Sequence, residues 1–276
     1  MTALSLLPRT TSFLPFQIGE VLREAAVTSV IPRFGRLGSD EVQEKSVGDL
    51  VTIADTQAEA IIAAGLTALR PRARVVGEEA CAANPGLLKN LDRGEVWIID
   101  PIDGTGNYAA GRAPFAMMAA LLQEGEIVAS AVLDPLSDRL LLAEKGGGAW
   151  LNEMRLVSCE QRPVPRALSG IISHFQRPPE MEAKAGTLAD DGVTLLSTQR
   201  CAGFEYARIA IGELDFALYW RTLVWDHAPG ILILEEAGGK AAHLDGTSYA
   251  SSRPHRPILL ARNKAIWDHI ASAMAR

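Results

Sequence analysis

Residues 97–108 read WIIDPIDGTGNY and place two carboxylates, Asp100 and Asp103, around a proline at the end of an apolar run. The β-rich residues 95–99 predict a strand, and proline, which has no N–H to donate to a sheet, is expected to end it. The backbone then turns, so that both carboxylates and the carbonyl of Ile102 can face one point. The glycine-rich residues 104–107 that follow supply backbone N–H groups suited to phosphate oxygens.

Two further acidic clusters accompany predicted strands and helices. Glu78 and Glu79 follow the β-rich residues 74–76, and Asp226 stands where a helix is predicted to begin, with Pro229 in its first turn. Taken singly, these clusters are more typical of a turn, an exposed acidic pair and a helix cap than of a metal site. Together they form an all-oxygen set that suits a hard cation such as Mg²⁺ better than zinc or copper.

Composition and charge exclude several classes of protein. The 276 residues carry a formal net charge of -6, whereas nucleic-acid surfaces concentrate Lys and Arg. The longest apolar run, residues 113–122, is shorter than the roughly 18 to 20 residues needed to cross a bilayer. The N-terminus lacks the charged start and cleavage site of a secretory signal. We therefore expect a cytoplasmic protein with a small-molecule partner and no membrane or nucleic-acid partner.

The predicted elements fall into two lobes, residues 1–160 and 161–276. The first lobe has a helix over residues 19–34, a loop over 35–48, a helix capped by Thr56 and Glu59 that ends before Pro71, and an antiparallel meander over 115–157. The second alternates strands (168–173, 193–196, 214–220, 257–261) with helices (180–189, 204–211, 226–237 and from 264). This alternation predicts layers of helices and sheets, of α+β and α/β class.

Three other features have plain structural interpretations. The cysteines have no paired spacing, so they are predicted to be buried thiols: Cys81, Cys159 and Cys201. The glycines at 146–148 lack the spacing of a nucleotide-binding loop and predict a turn between strands. His227 is predicted to be structural, since no serine nucleophile motif accompanies it.

In combination and order, these motifs resemble the inositol monophosphatase family, relatives of fructose-1,6-bisphosphatase. The matching residues are 97–105, the Glu78-Glu79 pair, 225–226 with 235–239, Lys45 with 51–55, and 146–152. The resemblance spans nearly the whole chain. It implies a layered α-β-α-β-α sandwich, with most metal ligands in the first lobe and Asp226 in the second. It also implies a Mg²⁺-dependent phosphomonoesterase, in a family that commonly forms homodimers.

The resemblance implies a role for each matching residue. The metal ligands would be Glu78, Asp100, the Ile102 carbonyl, Asp103 and Asp226, with Glu79 for an additional ion. Asp55 and Thr105 would activate the attacking water together with Glu78, and the N–H groups of Gly104 and Thr105 would hold the phosphate. The substrate would be contacted by Glu205, Tyr219, Arg221 and Asp226.

The substrate stays open at this stage. Tyr219 stands six positions before Trp225, where animal inositol phosphatases carry an acidic residue that binds sugar hydroxyls. Arg221 either faces solvent or meets a second anionic group. We expect a small soluble ester resembling inositol 1-phosphate, with histidinol phosphate and a sugar or nucleotide bisphosphate as alternatives. A different class of function is an interaction protein that retains the phosphatase fold.

Overall fold

The computed structural model describes residues 13–46, 48–156, 167–190, 192–251 and 256–275. The helices are α1 (Leu14–Ala25), α2 (Ile53–Leu69), α3 (Glu78–Ala83), α4 (Thr105–Ala109), α5 (Glu180–Asp190), α6 (Ala202–Ile211), α7 (Val224–Glu236) and α8 (Lys264–Ala275). The first strands are β1 (Val42–Ser46), β2 (Asp49–Thr52), β3 (Arg74–Gly77), β4 (Glu95–Asp103), β5 (Ala116–Gln123), β6 (Glu126–Asp134) and β7 (Arg139–Glu144). The others are β8 (Gly148–Leu151), β9 (Met154–Arg155), β10 (Ser169–Ile172), β11 (Thr194–Leu196), β12 (Phe216–Tyr219), β13 (Lys240–His243) and β14 (Ile258–Ala261).

The described strands form two large sheets and a hairpin. One sheet has seven strands in sequence order, β3 to β9, and is antiparallel except for the parallel pair β3 and β4. The other has five strands in the order β11-β10-β12-β14-β13, of which β10 runs parallel to both its neighbours. Strands β1 and β2 pair with each other as a hairpin.

The elements stack in five layers over the described residues. Helices α1 and α2 cover one face of the seven-stranded sheet, α6 and α7 fill the space between the two sheets, and α5 and α8 cover the far face of the five-stranded sheet. Alternation along β5 shows how the sequence builds this stack, since Met117 and Ala119 pack against α1 and α2 while Ala116 and Met118 face α6 and α7. The predicted α-β-α-β-α sandwich is confirmed.

The strand at the acidic motif differs from the prediction. Strand β4 does not end at Ile99 but continues to Asp103, with a shift in register: Asp100 pairs with Met118 and Asp103 with Ala116. Three steps along β4 therefore match two along β5, which is a β-bulge. Pro101 is tolerated because a residue in a bulge does not have to donate to the neighbouring strand.

Several predicted boundaries in the first lobe were wrong. The first helix begins at Leu14, where Pro15 occupies its first turn, and residues 26–33 continue it as π and 3₁₀ turns. The predicted loop over 35–48 contains strand β1. Helix α2 begins one turn early, because Thr52 accepts from the Ala54 N–H and Asp55 accepts from the Thr52 N–H. Thr56 and Glu59 therefore lie inside the helix, which does end before Pro71.

In the second half, helix α7 begins at Val224, so Asp226 is its third residue and not its cap. Strand β13 was not predicted, and β12 is shorter than expected. The predicted lobe boundary at residue 160 lies outside the described residues. So does Cys159, while Cys81 and Cys201 are buried free thiols as predicted. None of the described helices is long and apolar enough to span a membrane.

Candidate metal and phosphate site

A cleft of about 800 Å³ opens where the acidic motifs meet. The ends of β4, β10 and β12 lie on it, together with the first turns of α4, α6 and α7. The predicted site residues that line it are Glu78, Asp100, Ile102, Asp103, Gly104, Thr105, Glu205, Tyr219, Arg221 and Asp226. Asp55 and Glu79 lie outside this lining: Asp55 accepts from Thr105, which lines the cleft, and Glu79 is linked through Lys45 to Glu78. The fold thus brings together residues that are far apart in the chain.

Asp100 has a carboxylate that the protein leaves partly unsatisfied. The residue is 1% exposed, and its Oδ1 has no hydrogen-bond partner among the described residues. Burial raises the pKa of Asp100 well above its usual range, and the nearby charges of Glu78, Asp103 and Asp226 raise it further. A buried, unpaired carboxylate oxygen is costly without a compensating charge. It therefore fits a position beside a bound cation.

Asp103 is held by the start of α6. Its Oδ2 accepts from the Gly203 N–H at 2.6 Å and from Cys201 Sγ at 3.1 Å. Burial raises the pKa of Asp103 to about 6, although these hydrogen bonds lower it. Sequence reasoning did not identify Gly203 as part of the site. Gly203 lies 100 positions from Asp103 in the chain, so no local pattern indicates this contact.

Thr105 and Asp55 form a hydrogen-bonded pair behind the bulge. Gly104 has a φ of 88° and precedes α4, and the Thr105 hydroxyl lies 2.8 Å from the Ile102 carbonyl oxygen and 3.1 Å from Asp55 Oδ1. The other oxygen of Asp55, Oδ2, accepts from the backbone N–H and the hydroxyl of Thr52. Burial raises the pKa of Asp55 to about 6. The pair links the N-terminus of α2 to the carbonyl of Ile102.

Lys45 approaches both glutamates of the second cluster. Its Nζ lies 2.8 Å from Glu78 Oε1 and 3.1 Å from Glu79 Oε1. The pKa of Glu79 is raised to about 7, chiefly by burial and also by the Glu78 charge, although Lys45 lowers it. In the part of the chain that the structure describes, no three His, Cys, Asp or Glu side chains stand close enough together to hold one metal ion as they are. The lysine ammonium supplies the positive charge beside this pair.

Glu59 supports the helix that carries Glu78 and Glu79, a role that sequence reasoning did not assign to it. It was predicted to cap its own helix, but its Oε2 accepts from the Glu79 N–H at 2.8 Å and its Oε1 from the Ala80 N–H at 2.9 Å. A side chain at Gly77 would collide with this carboxylate, since an added Cβ would lie 2.3 Å from Glu59 Cδ. Glu59 therefore fixes the first turn of α3, which carries Glu78 and Glu79.

The end of the cleft near Tyr219 has a closed hydrogen-bond network. Glu205 Oε1 accepts from the Thr198 hydroxyl and the Gln199 N–H, both at 2.6 Å, and its Oε2 accepts from the Tyr219 hydroxyl. Burial raises the pKa of Glu205, and these donors lower it. Protein groups therefore use most of the hydrogen-bonding capacity of the Glu205 carboxylate.

Arg221 lies beside Asp226 at the same end of the cleft. Its Nη2 is 4.0 Å from Asp226 Oδ2, and its Cζ is 4.6 Å from the ring centre of Phe175. Burial raises the pKa of Asp226 well above its usual range, and the charges of Glu78 and Asp103 add to this. Phe175 is a further residue that sequence reasoning did not connect with the site.

His227 is buried directly behind Asp226. Its Nδ1 lies 3.0 Å from the Tyr206 hydroxyl oxygen and its Nε2 lies 3.2 Å from the Arg221 carbonyl oxygen. Burial lowers the pKa of His227 to about 4, so the ring is neutral near pH 7. Both ring nitrogens are occupied by protein groups, which leaves neither one directed at a substrate.

The donor set fits a hard divalent cation. Carboxylate oxygens and one carbonyl surround the cleft, and one of the carboxylate oxygens, Oδ1 of Asp100, is buried and has no partner among the described residues. Such oxygens are the preferred ligands of Mg²⁺ and Ca²⁺. The residues that would hold the ions are Glu78, Asp100, Ile102, Asp103 and Asp226. Glu79 is available for an additional ion if Lys45 moves away.

Comparison with known proteins agrees with the fold and the cleft. The sequence model of the inositol monophosphatase family matches residues 14–275. The chain is 33% identical over 220 residues to an inositol-1-monophosphatase of Rhizobium meliloti (strain 1021), covering 77% of this chain and 79% of that one. It is 29% identical over 227 residues to the Nus factor SuhB of Haemophilus influenzae, covering 81% and 83%.

A solved structure of the extragenic suppressor protein suhB from Bartonella henselae is similar over almost its whole length. The TM-score is 0.81 at 26% sequence identity, covering 96% of this chain and 99% of that one. The extent of these matches, together with the five-layered fold and the acidic cleft, leads to one assignment. The chain belongs to the inositol monophosphatase family and is a metal-dependent phosphatase of that type.

Proposed function

We propose that the protein hydrolyses a small, soluble phosphate monoester, resembling inositol 1-phosphate, in a Mg²⁺-dependent reaction. The observation that carries this proposal is the buried, unpaired Oδ1 of Asp100 in a cleft lined by Glu78, Asp103 and Asp226. Bound Mg²⁺ would lower the pKa of a coordinated water and offset the charge of the phosphate. The protein's own residues would hold the ester and receive the proton.

We assign phosphate binding to the backbone N–H groups of Gly104 and Thr105. The left-handed conformation of Gly104 redirects the chain after the bulge, so that these groups come directly before and at the first residue of α4. The first N–H groups of a helix have no acceptor within it, and they are available to an anion. Gly104 has little room for a side chain, since an added Cβ would lie 3.2 Å from the Arg200 carbonyl oxygen.

We assign proton transfer to the pair of Thr105 and Asp55. The Thr105 hydroxyl can donate its one hydrogen to Asp55 Oδ1, 3.1 Å away, and its oxygen can then accept a hydrogen from the attacking water. Because the pKa of Asp55 is raised to about 6, its carboxylate can take up a proton near neutral pH. Glu78 would help to orient the water from the opposite cluster.

Phosphate release tests this proposal directly. The panel holds inositol 1-phosphate, histidinol phosphate, fructose 1,6-bisphosphate and adenosine 3′,5′-bisphosphate, each with Mg²⁺ and with EDTA. We expect turnover of at least one ester with Mg²⁺, and a loss of about 100-fold or more in Asp100→Asn, because a charged ligand of the cation is removed. Asp92→Asn, a substitution of an exposed turn residue, is the matched control.

A different result would point to another function. If no ester is hydrolysed with any divalent cation, the phosphatase proposal fails, and an interaction role becomes the better explanation. The name of the Haemophilus influenzae relative, Nus factor SuhB, is the reason to test for that role. Cytoplasmic residence and a homodimer stay predictions from the sequence. Fractionation of the cell and light scattering of the purified protein would test them.

A further inference from the structure

The guanidinium of Arg221 has few partners among the described residues of the protein. In the described part of the chain its guanidinium donates no hydrogen bond, and its one ion-pair contact, to Asp226, is long at 4.0 Å. The side chain is 30% exposed and lines the cleft. A guanidinium presents up to five N–H donors in a rigid plane. Most of these donors are therefore available to a molecule in the cleft.

Phe175 holds the guanidinium in place. The Arg221 Cζ lies 4.6 Å from the centre of the Phe175 ring, a distance at which the ring face attracts a cation. Phe175 lies in the link between β10 and α5, lines the cleft and is 54% exposed. An aromatic side chain this exposed adds little to the core. Its contact with Arg221 restricts the conformations of the arginine before a substrate arrives.

The neighbouring acid is poorly placed to recognise sugar hydroxyls. A carboxylate has about four lone-pair positions, and Glu205 already accepts three hydrogen bonds, from Thr198, Gln199 and Tyr219. Tyr219 directs its hydroxyl hydrogen at Glu205 and not at the cleft. Glu205 therefore has about one lone-pair position left for a polyol, whereas Arg221 offers a positive charge to the cleft.

We propose that Arg221, stacked on Phe175, binds a second anionic group of the substrate, so that the preferred ester carries a phosphate or carboxylate besides the phosphate that is cleaved. This inference rests on the proposed function and narrows its substrate class. A planar guanidinium can bind either anion through two parallel hydrogen bonds. The same charge disfavours histidinol phosphate, whose leaving group carries an amine.

The test uses pairs of esters that differ only in the second anion. The pairs are fructose 1,6-bisphosphate with fructose 1-phosphate, adenosine 3′,5′-bisphosphate with adenosine 3′-phosphate, and O-phosphoserine with phosphoethanolamine. For each pair the ratio of kcat/KM values, doubly charged over singly charged, is measured in the wild-type protein and in Arg221→Gln, Arg221→Lys and Phe175→Leu. Arg72→Gln removes the same charge from an exposed turn and is the matched control.

We expect the ratio to exceed one for at least one pair and to fall about 10- to 100-fold in Arg221→Gln, as when one charge-assisted hydrogen bond is lost. Arg221→Lys should retain part of the ratio, Phe175→Leu should lower it mainly through KM, and Arg72→Gln should leave it unchanged. The pair with the highest ratio identifies whether a sugar phosphate, a nucleotide phosphate or a carboxylate fits. The singly charged ester of each pair is the internal reference, so a general loss of activity in a variant cancels from the ratio.

Two outcomes would overturn the inference while the phosphatase proposal stands. One is a ratio near one for all pairs, and the other is a ratio that Arg221→Gln leaves unchanged. If no ester is hydrolysed, the phosphatase proposal itself is wrong. In that case, titration calorimetry of the same pairs into the wild-type protein and Arg221→Gln tests whether Arg221 binds the second anion. Equal affinities for the two members of each pair would contradict the inference.

Discussion

The ammonium group of Lys45 lies 2.8 Å from Oε1 of Glu78, although 33 positions separate the two residues in the chain. The same ammonium lies 3.1 Å from Glu79, and the three side chains are only 10 to 15% exposed. Burial alone would lower the pKa of Lys45, but the two glutamates outweigh it and raise that pKa. Lys45 is therefore protonated at neutral pH and offsets the charge of two predicted metal ligands.

Replacing Lys45 with methionine should destabilise the protein most when metal is absent. The free energy of unfolding in EDTA should fall by about 1 to 3 kcal/mol, because two poorly solvated carboxylates lose a charged partner. With saturating Mg²⁺ the loss should be smaller, since the ion supplies positive charge to the same carboxylates. Urea unfolding of both proteins, with EDTA and with Mg²⁺, measures the difference.

Lys145→Met is the matched control for this measurement. Lys145 pairs with Glu126 at the surface, where the two side chains are 50 and 67% exposed. Such pairs contribute at most about 1 kcal/mol. An equal loss for Lys45→Met with and without Mg²⁺ would mean that the lysine and the cation do not share these carboxylates.

The stability of the metal-free protein should rise as pH falls from 8 to 6. Burial raises the pKa of Glu79 to about 7 and of Asp55 and Asp103 to about 6, above their values in the unfolded chain. The folded protein therefore binds more protons over this range, and a rise in pH removes stability. His227, with its pKa lowered to about 4, opposes this trend, but the carboxylates outnumber it.

Saturating Mg²⁺ should reverse the sign of this pH dependence. A cation binds the ionised carboxylates, so protonation below pH 7 competes with it and weakens the stabilisation that it gives. Thermal melts at pH 6, 7 and 8 with EDTA and with Mg²⁺ test both signs. Parallel curves under the two conditions would show that these acids do not bind the ion.

The sequence predicted most elements because their patterns are local, and it failed where distant contacts decide. Two consecutive patterns, Thr52 with Asp55 and Thr56 with Glu59, both resemble a capping box. The second is not formed, because the Glu59 carboxylate accepts from the first turn of α3 instead. No local pattern could show that α3 would pack there.

The cleft was partly predictable for the same reason. The acids stand in short motifs, so their residue types indicated a metal site, and the fold brings these motifs to one cleft. The contact between Arg221 and Phe175 joins residues 46 positions apart by their numbers, and neither residue belongs to a motif. Glu236 belongs to the matched residues 235–239, but nothing in that motif shows that its carboxylate accepts from the N–H groups of Gly146 and Gly148.

Glu59→Gln should loosen the first turn of α3 and weaken metal binding. Glutamine can accept with one oxygen only, so one of the N–H groups of Glu79 and Ala80 loses its acceptor, at a cost of about 1 to 2 kcal/mol in unfolding free energy. Titration calorimetry with Mg²⁺ should show a higher dissociation constant. Glu20→Gln, on the exposed side of α1, should change neither quantity, and a Glu59→Gln protein with unchanged affinity would show that α3 is held by other contacts.

The last prediction concerns the hydroxyl group of Thr105. Thr105→Val keeps the shape of the side chain but removes the hydroxyl group, whose one hydrogen can be donated either to Asp55 or to the Ile102 carbonyl. We expect kcat to fall by about 10² to 10⁴-fold, the usual contribution of a positioned proton acceptor. Thr105→Ser keeps the hydroxyl and should retain most of the activity. Because neither change removes a charge, Mg²⁺ affinity measured by calorimetry should stay close to that of the wild type. If Thr105→Val lost metal binding together with activity, the hydroxyl would be acting through the Ile102 carbonyl, whose position it fixes at 2.8 Å, and not through the proton path to Asp55.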